Sequence, residues 1–209
     1  MSGGALPRLS LQQALSALHS GALLAHSTTS LLGIGALPQR VDATDTLDRL
    51  KERVAGRGYV HVVGAVDQAQ GWVEDLSVAN GLWRRISGPL TLVMPATAAV
   101  PAASRSADGT VAIRLDRHPV IGELCAALRS PLISTSLNLA GQPPCDDLDA
   151  IPAPLLQALA GSYVRPPSPM GGASTLIRLD GAQWTMLRLG MVSAEEIRAA
   201  LGADHVSVD

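Results

Sequence analysis

With 47% hydrophobic and 16% charged residues, this 209-residue chain has the apolar material for a sizeable core, and a single domain over residues 1–209 is expected. A net charge of −2 and an aromatic content of 2%, with no Phe, argue against coating nucleic acid through bulk electrostatics and stacking, so any RNA contact would be weak, local or transient. No apolar run approaches the roughly 20 residues that span a bilayer, the N-terminus lacks a secretory pattern, and Cys125 and Cys145 without a CxxC form neither a disulfide framework nor a zinc site; a reducing cytoplasm is the expected compartment.

In chain order, Ser10-Leu11-Gln12-Gln13 reads as a capping box opening a helix that stops at Gly21. Ala22 to Ala25 reads as a short strand running into a turn-rich segment, His26 to Gly35. A helix is expected from Asp42 to about Lys51, with Leu47 and Leu50 on one face. Tyr59 to Val63 reads as a strand and Asp67 to about Asn80 as a helix. Leu90 to Met94 and Val111 to Leu115 are strands, and Pro119 opens a helix to Leu128. Pro131-Leu132-Ile133 is a buried strand that leads into Ser134. Beyond it come a Pro-rich loop with acids, a helix near Leu148 to Leu159, and a long loop over Gly161 to Gly172. Ser174 to Leu179 and Trp184 to Leu187 form a hairpin around Asp180-Gly181, and Ser193-Ala194-Glu195-Glu196 caps a last helix ending at Gly202. Interleaved strands and helices without a repeat make the class α/β with a mixed sheet.

Phosphate-loop signatures fail: Gly33-Ile34-Gly35 starts like a dinucleotide fingerprint, but Pro38 stands where its third glycine belongs. No nucleophile elbow or zinc-type histidine spacing is found. The most informative stretch is Ser134-Thr135-Ser136-Leu137-Asn138. In an extended chain Ser134, Ser136 and Asn138 project from one face and Thr135 and Leu137 from the other, making a comb of hydroxyls and an amide suited to a small polar ligand. Lys51 and Arg53 close a predicted helix. On a continuing helix they point about 200° apart; in extended chain they share a face and suit phosphate or carboxylate, while as helix-end charges they are simply solvated. Arg114, inside the apolar run Val111–Leu115, is either ligand-facing or held in a structural ion pair. Thr28 and Thr91 read first as structural threonines, Cys125 as core, and Asp146, Asp147 and Asp149 as caps of the following helix.

Taken together, Lys51-Glu52-Arg53 and Ser136-Leu137-Asn138 resemble the Lys-x-Arg and Ser-x-Asn pattern of the YrdC-type threonylcarbamoyl-AMP synthase family. Gly88-Pro89-Leu90-Thr91 resembles its Gly-Pro-Val-Thr strand, and Arg114 with His118-Pro119 its Val-Arg-x-x-x-His-Pro segment. Ser134 to Pro144 resembles its Ser-Thr-Ser-Ala-Asn-x-x-Gly-x-Pro-Pro stretch, Ala173-Ser174-Thr175 its Pro-Ser-Thr, and Leu187-Arg188-Leu189-Gly190 its Arg-Pro-Gly. The motifs run in family order from about residue 10 to residue 200, without the long C-terminal extension of some members. The departures cluster. His26-Ser27-Thr28-Thr29-Ser30-Leu31-Leu32-Gly33 keeps the threonine and glycine of the family's Tyr-Pro-Thr-Glu/Asp-x-x-Tyr/Phe-Gly but not its aromatics, proline or acid; Val54, Arg57 and Ile86-Ser87 differ as well.

The resemblance implies a twisted mixed sheet with flanking helices around a deep concave cavity. It also implies a reaction of L-threonine, bicarbonate and ATP that yields threonylcarbamoyl-AMP and pyrophosphate, for a downstream complex that modifies tRNA. On that basis Lys51, Arg53, Ser136 and Asn138 are the expected catalytic set, and Thr28 and Arg114 hold threonine. Thr91, Ser134, Ser174 and Arg188 contact the nucleotide. Mg²⁺ is expected to arrive with ATP, with no protein metal site. The competing expectation, prompted by the altered His26–Leu32 segment, is a non-catalytic or repurposed paralogue that binds nucleotide or RNA in the same cavity.

Overall fold

The computed structural model describes residues 5–54, 56–181, 183–202 and 206–207. The first helix, α1 (Leu11–His19), has the capping box: Ser10 Oγ accepts from Gln13 N while the Gln13 side chain accepts from Ser10 N. It leads into β1 (Leu23–His26), and β2 (Gly33–Ala36) returns antiparallel to it. Then follow α2 (Val41–Leu50), β3 (Val60–Val63), α3 (Ser77–Arg85), β4 (Leu90–Pro95), β5 (Thr110–Leu115), α4 (Pro119–Leu128) and β6 (Leu132–Ser136). The last part holds α5 (Ala153–Ala158), β7 (Leu159–Tyr163), β8 (Thr175–Asp180), β9 (Gln183–Arg188), α6 (Ala194–Leu201) and β10 (Val206–Ser207).

Among the described residues the strands form one ten-stranded mixed sheet in the order β10-β9-β8-β4-β5-β3-β6-β2-β1-β7. Alternation along β1 sends Leu23 and Ala25 to a core shared with α2 and α5, and Leu24 to the opposite core under α1 and α4. A third cluster packs Trp83 of α3 and Ile197 of α6 against β4, β5 and β8. Complete burial of Leu47 on α2 contributes about 1.5–3 kcal/mol, and it fixes the helix whose end delivers Lys51.

Three expected elements differ. The segment read as turns to Gly35 contains a buried strand, β2, paired to both β1 and β6. Its glycines meet a packing demand, because a Cβ on Gly33 would lie 2.8 Å from the His26 ring and one on Gly35 2.9 Å from it. The helix expected over Asp67–Asn80 is instead a 3-10 turn (Val66–Ala69) and a separate α3; between them Gly71 adopts φ +84°, which a helix cannot accommodate. The helix near Leu148–Leu159 shrinks to a 3-10 turn at Leu148–Ala150 plus α5. Leu159 then opens β7, which runs into the segment read as loop and pairs parallel with β1. Asp147 does cap the following turn, accepting from Asp149 N at 2.9 Å, and Cys125 is fully buried, with its thiol pushed up to about 12 by burial.

Candidate active site

A cavity of about 320 Å³ opens over the sheet, lined by Thr28 and Ser30, Arg53 and Tyr59, Arg114, the Ser134–Ser136 end of β6, Ser174 and Arg188. No Asp or Glu is among its described lining residues. Cations and hydroxyls at that density suit an anionic ligand with several oxygens.

The comb is shorter than its sequence suggests. Ser134 and Ser136 line the cavity, but β6 ends at Ser136, and Asn138 curls back so that its N–H donates to Ser136 O at 2.9 Å. Asn138 Oδ1 then accepts from Ser136 Oγ at 2.7 Å, which makes the amide a brace behind the comb and not a third tooth. Leu137 goes to the core as alternation requires, whereas Thr135 also lines the cavity. Ser134 Oγ makes no hydrogen bond among the described residues, so its hydroxyl is available to a ligand.

Lys51 and Arg53 are neither on a continuing helix nor in extended chain. The helix stops at Leu50, and Glu52 takes φ +45°, a left-handed turn costly for a side chain with a Cβ. Lys51 therefore reaches across to β6, where its ammonium donates to Ser136 O at 2.6 Å, Asn138 O at 2.7 Å and Asn138 Oδ1 at 2.6 Å. These acceptors use all three donors of the ammonium. Burial, reinforced by Arg53, lowers its pKa to about 8, against a smaller opposing influence from Cys145. Arg53 stacks its guanidinium 3.7 Å from the Tyr59 ring centroid and donates to the Arg57 and Gly58 carbonyls. Burial lowers its pKa.

Arg114 is held in a structural ion pair and also faces the cavity. It lines the cavity, and its Nη2 lies 2.8 Å from Asp116 Oδ2 in a buried ion pair. Thr91 is fully buried one layer back and does not line the cavity; its Oγ1 bonds Ser174 Oγ at 2.8 Å. Arg188 at the rim donates to Ser174 O at 2.9 Å and Ser174 Oγ at 3.1 Å. Gly190 allows that approach, since a Cβ there would sit 2.4 Å from Ala173 O.

The altered segment on the other wall is tightly bonded. Thr28 Oγ1 donates to Leu31 O at 2.7 Å and accepts from Ser30 N and Leu31 N, both at 3.1 Å. Ser27 Oγ donates to Arg165 O, and Met170 N and Gly171 N donate to Thr29 O and Ser30 O.

The Sua5/YciO/YrdC family model, described as telomere recombination, matches residues 16–190. The chain belongs to the Sua5/YciO/YrdC family. A threonylcarbamoyl-AMP synthase of Xylella fastidiosa is 34% identical over 190 residues, 87% of this chain and 98% of that protein. One from Vibrio cholerae is 37% identical over 142 residues, 65% of this chain and 74% of that protein. The fold is that of P. abyssi Sua5 complexed with L-threonine, with a TM-score of 0.79 at 22% identity over 97% of this chain; the chain spans 61% of that one's length. It is also that of E. coli YciO, with a TM-score of 0.78 at 20% identity over 89% of this chain and 91% of that one.

In this member of the Sua5/YciO/YrdC family, sequence reasoning passed over Ser30, Tyr59 and Asp116. Asp116 carried a signal, as it stands two residues after Arg114 and alternation along an extended chain puts both on one side. Tyr59 was placed at a strand start without regard to the arginine that stacks on it. Ser30 carried no sequence signal of its own.

Proposed function

We propose that the chain is a single-domain threonylcarbamoyl-AMP synthase, converting L-threonine, bicarbonate and ATP to threonylcarbamoyl-adenylate and pyrophosphate. The observation that carries this reading is the 34% identity to a protein of that name across 98% of its length. The acid-free, cation- and hydroxyl-lined cavity supports it. Threonine's amine and bicarbonate condense to a carbamate with loss of water. A carbamate oxygen then forms a bond to the α-phosphorus as the bond to the pyrophosphate oxygen breaks. The electron pair leaves with pyrophosphate, so no protein nucleophile is needed, and catalysis falls to positioning and charge neutralisation.

In this reading Arg53 neutralises phosphate and carbamate oxygens, and Lys51 acts with Asn138 by fixing the end of β6. Ser134 and Ser136 orient the nucleotide and carbamate. Thr28 and Arg114 take threonine, Arg114 through the carboxylate, and Ser174 and Arg188 meet the nucleotide with Thr91 supporting Ser174. Mg²⁺ would enter on the triphosphate. No carboxylate lines the described cavity to hold it, so no step is assigned to the metal. The product would pass to a tRNA threonylcarbamoyl-transfer complex, with any tRNA contact weak. No helix of the described residues is long and apolar enough to cross a membrane, and we assign the activity to the cytoplasm. A non-catalytic paralogue is not favoured, because the curated relatives are named threonylcarbamoyl-AMP synthases and the hydroxyls of Ser27, Thr28, Thr29 and Ser30 in the segment that prompted it are all hydrogen-bonded. Pyrophosphate release from ATP, with and without L-threonine, tests the proposal: release is expected to require threonine, and release indifferent to threonine would reject it.

A further inference from the structure

Asp116 is the only fully buried carboxylate among the described residues, and it stands at one of the three unspecified positions between Arg114 and His118 in the Arg-x-x-x-His-Pro segment. It stands just past the end of β5. Its Oδ2 lies 2.8 Å from Arg114 Nη2 and accepts from Thr29 Oγ1 at 3.0 Å. Its Oδ1 accepts from Thr29 N and from His118 N, both at 3.0 Å. Arg114 Nη1 closes the ring by donating to Ser30 Oγ at 2.9 Å. One carboxylate therefore ties the cavity's buried guanidinium to Thr29 of the Thr28–Leu32 wall and to the start of α4, while the guanidinium itself reaches the next residue, Ser30.

The placement matters because Arg114 and Thr28 both line the one small cavity and both bond the Ser30 hydroxyl, Arg114 Nη1 at 2.9 Å and Thr28 Oγ1 at 3.1 Å, so their relative position sets which carboxylate and which side chain fit beside them. Nothing else charged faces Arg114 at ion-pair distance among the described residues. Thr29, which occupies the position of the acid missing from this segment, makes its side-chain bond to Asp116 instead.

We propose that Asp116 is the positioning residue for the amino-acid substrate: it fixes Arg114 and the Thr28–Leu32 wall relative to one another and so sets the fit for threonine. This rests on the reading of the cavity as a threonine site. A buried ion pair loses its geometry when one partner is neutralised, because the remaining charge must find new partners. A residue that only stabilised the fold would lower the amount of active protein without separating the two substrates.

The test is steady-state pyrophosphate release by the purified full chain, with threonine and ATP varied separately, alongside titration calorimetry with L-threonine. Asp116→Asn is expected to raise the threonine KM about tenfold or more while the ATP KM stays within about twofold. Returning a carboxylate to the neighbouring position, as Asp116→Asn with Thr29→Asp, should recover much of the lost threonine affinity. Should Asp116→Asn fail to fold, Ser30→Ala, which removes the other clasp on Arg114 and leaves the carboxylate in place, should raise the threonine KM several-fold with the ATP KM unmoved. Equal changes in both KM values, or an unchanged threonine KM in a folded variant, would overturn the proposal. A wild-type chain that binds threonine but releases no pyrophosphate would reject the synthase reading alone, and the calorimetric affinities of the variants would still decide the role of Asp116. A wild-type chain that neither binds nor uses threonine would overturn both.

Discussion

The two walls of the cavity handle their polar groups in opposite ways. On the β6 wall, Lys51 and Asn138 grip the backbone from behind and leave Ser134 Oγ without a partner, facing the cavity. On the Thr28–Leu32 wall the named hydroxyls are spent internally: Thr28 on the turn, Ser27 on Arg165, Thr29 on Asp116 and Ser30 on Arg114. The first wall offers donors to a ligand, and the second offers shape. The segment that stays close to its family pattern is the one with a hydroxyl left open to the cavity, and the segment that diverges is the one held by internal hydrogen bonds.

That contrast is most easily broken at Lys51. Lys51→Ala removes the brace of the donor wall, and pyrophosphate release should fall by about 10²-fold or more; Lys51→Arg should not rescue it, because a planar guanidinium does not match three oxygens gathered round an ammonium. A loss under about threefold would show that the brace is dispensable. Since burial lowers the Lys51 pKa to about 8, the cation is present below that value and lost above it. The kcat/KM for ATP should therefore decline about tenfold per pH unit above about pH 8, and a profile flat to pH 10 would remove the ammonium from the mechanism.

The shape wall should respond in stability first. Thr28→Ala strands the Ser30 and Leu31 amides, at a cost of about 1–3 kcal/mol in chemical denaturation, with a raised threonine KM and an unmoved ATP KM. His26, buried beneath this wall, and His61 in β3 both have pKa values lowered to about 4 by burial. The folded state takes up their protons later than the unfolded state, so stability is fully present above the ordinary histidine value near 6.5. It should fall as pH drops from there towards about 4, by on the order of 3 kcal/mol for each histidine. Acid titration of the unfolding free energy checks this, and a curve level between pH 6.5 and 4 would contradict it. The smallest effect is expected at Ser134→Ala. With no protein partner lost, stability should stay within about 0.5 kcal/mol, while turnover drops a few-fold.

Local chemistry made much of this legible in the sequence. The capping boxes at Ser10 and Ser193, Pro119 at the start of α4 and the Asp180-Gly181 hairpin are signals confined to a few residues, and each produced the expected element. The elements that escaped depend on distant partners. Gly33-Ile34-Gly35 looks like a turn until the His26 ring is placed against it, and Leu159–Tyr163 becomes a strand only because β1 offers it an edge. The site followed the same rule. The motifs named the residue types, but whether Asn138 or Lys51 faces a ligand or braces the backbone was decided by the end of β6 and the left-handed turn at Glu52, which no periodicity reveals.

The most direct test of a cavity in which both walls act on one product is to incubate the chain with ATP, L-threonine and ¹³C-bicarbonate and to follow the adenylate by mass spectrometry at early times. The account predicts threonylcarbamoyl-adenylate carrying the label, formed in step with pyrophosphate and absent without threonine. ATP consumption that yields only unlabelled AMP would contradict it.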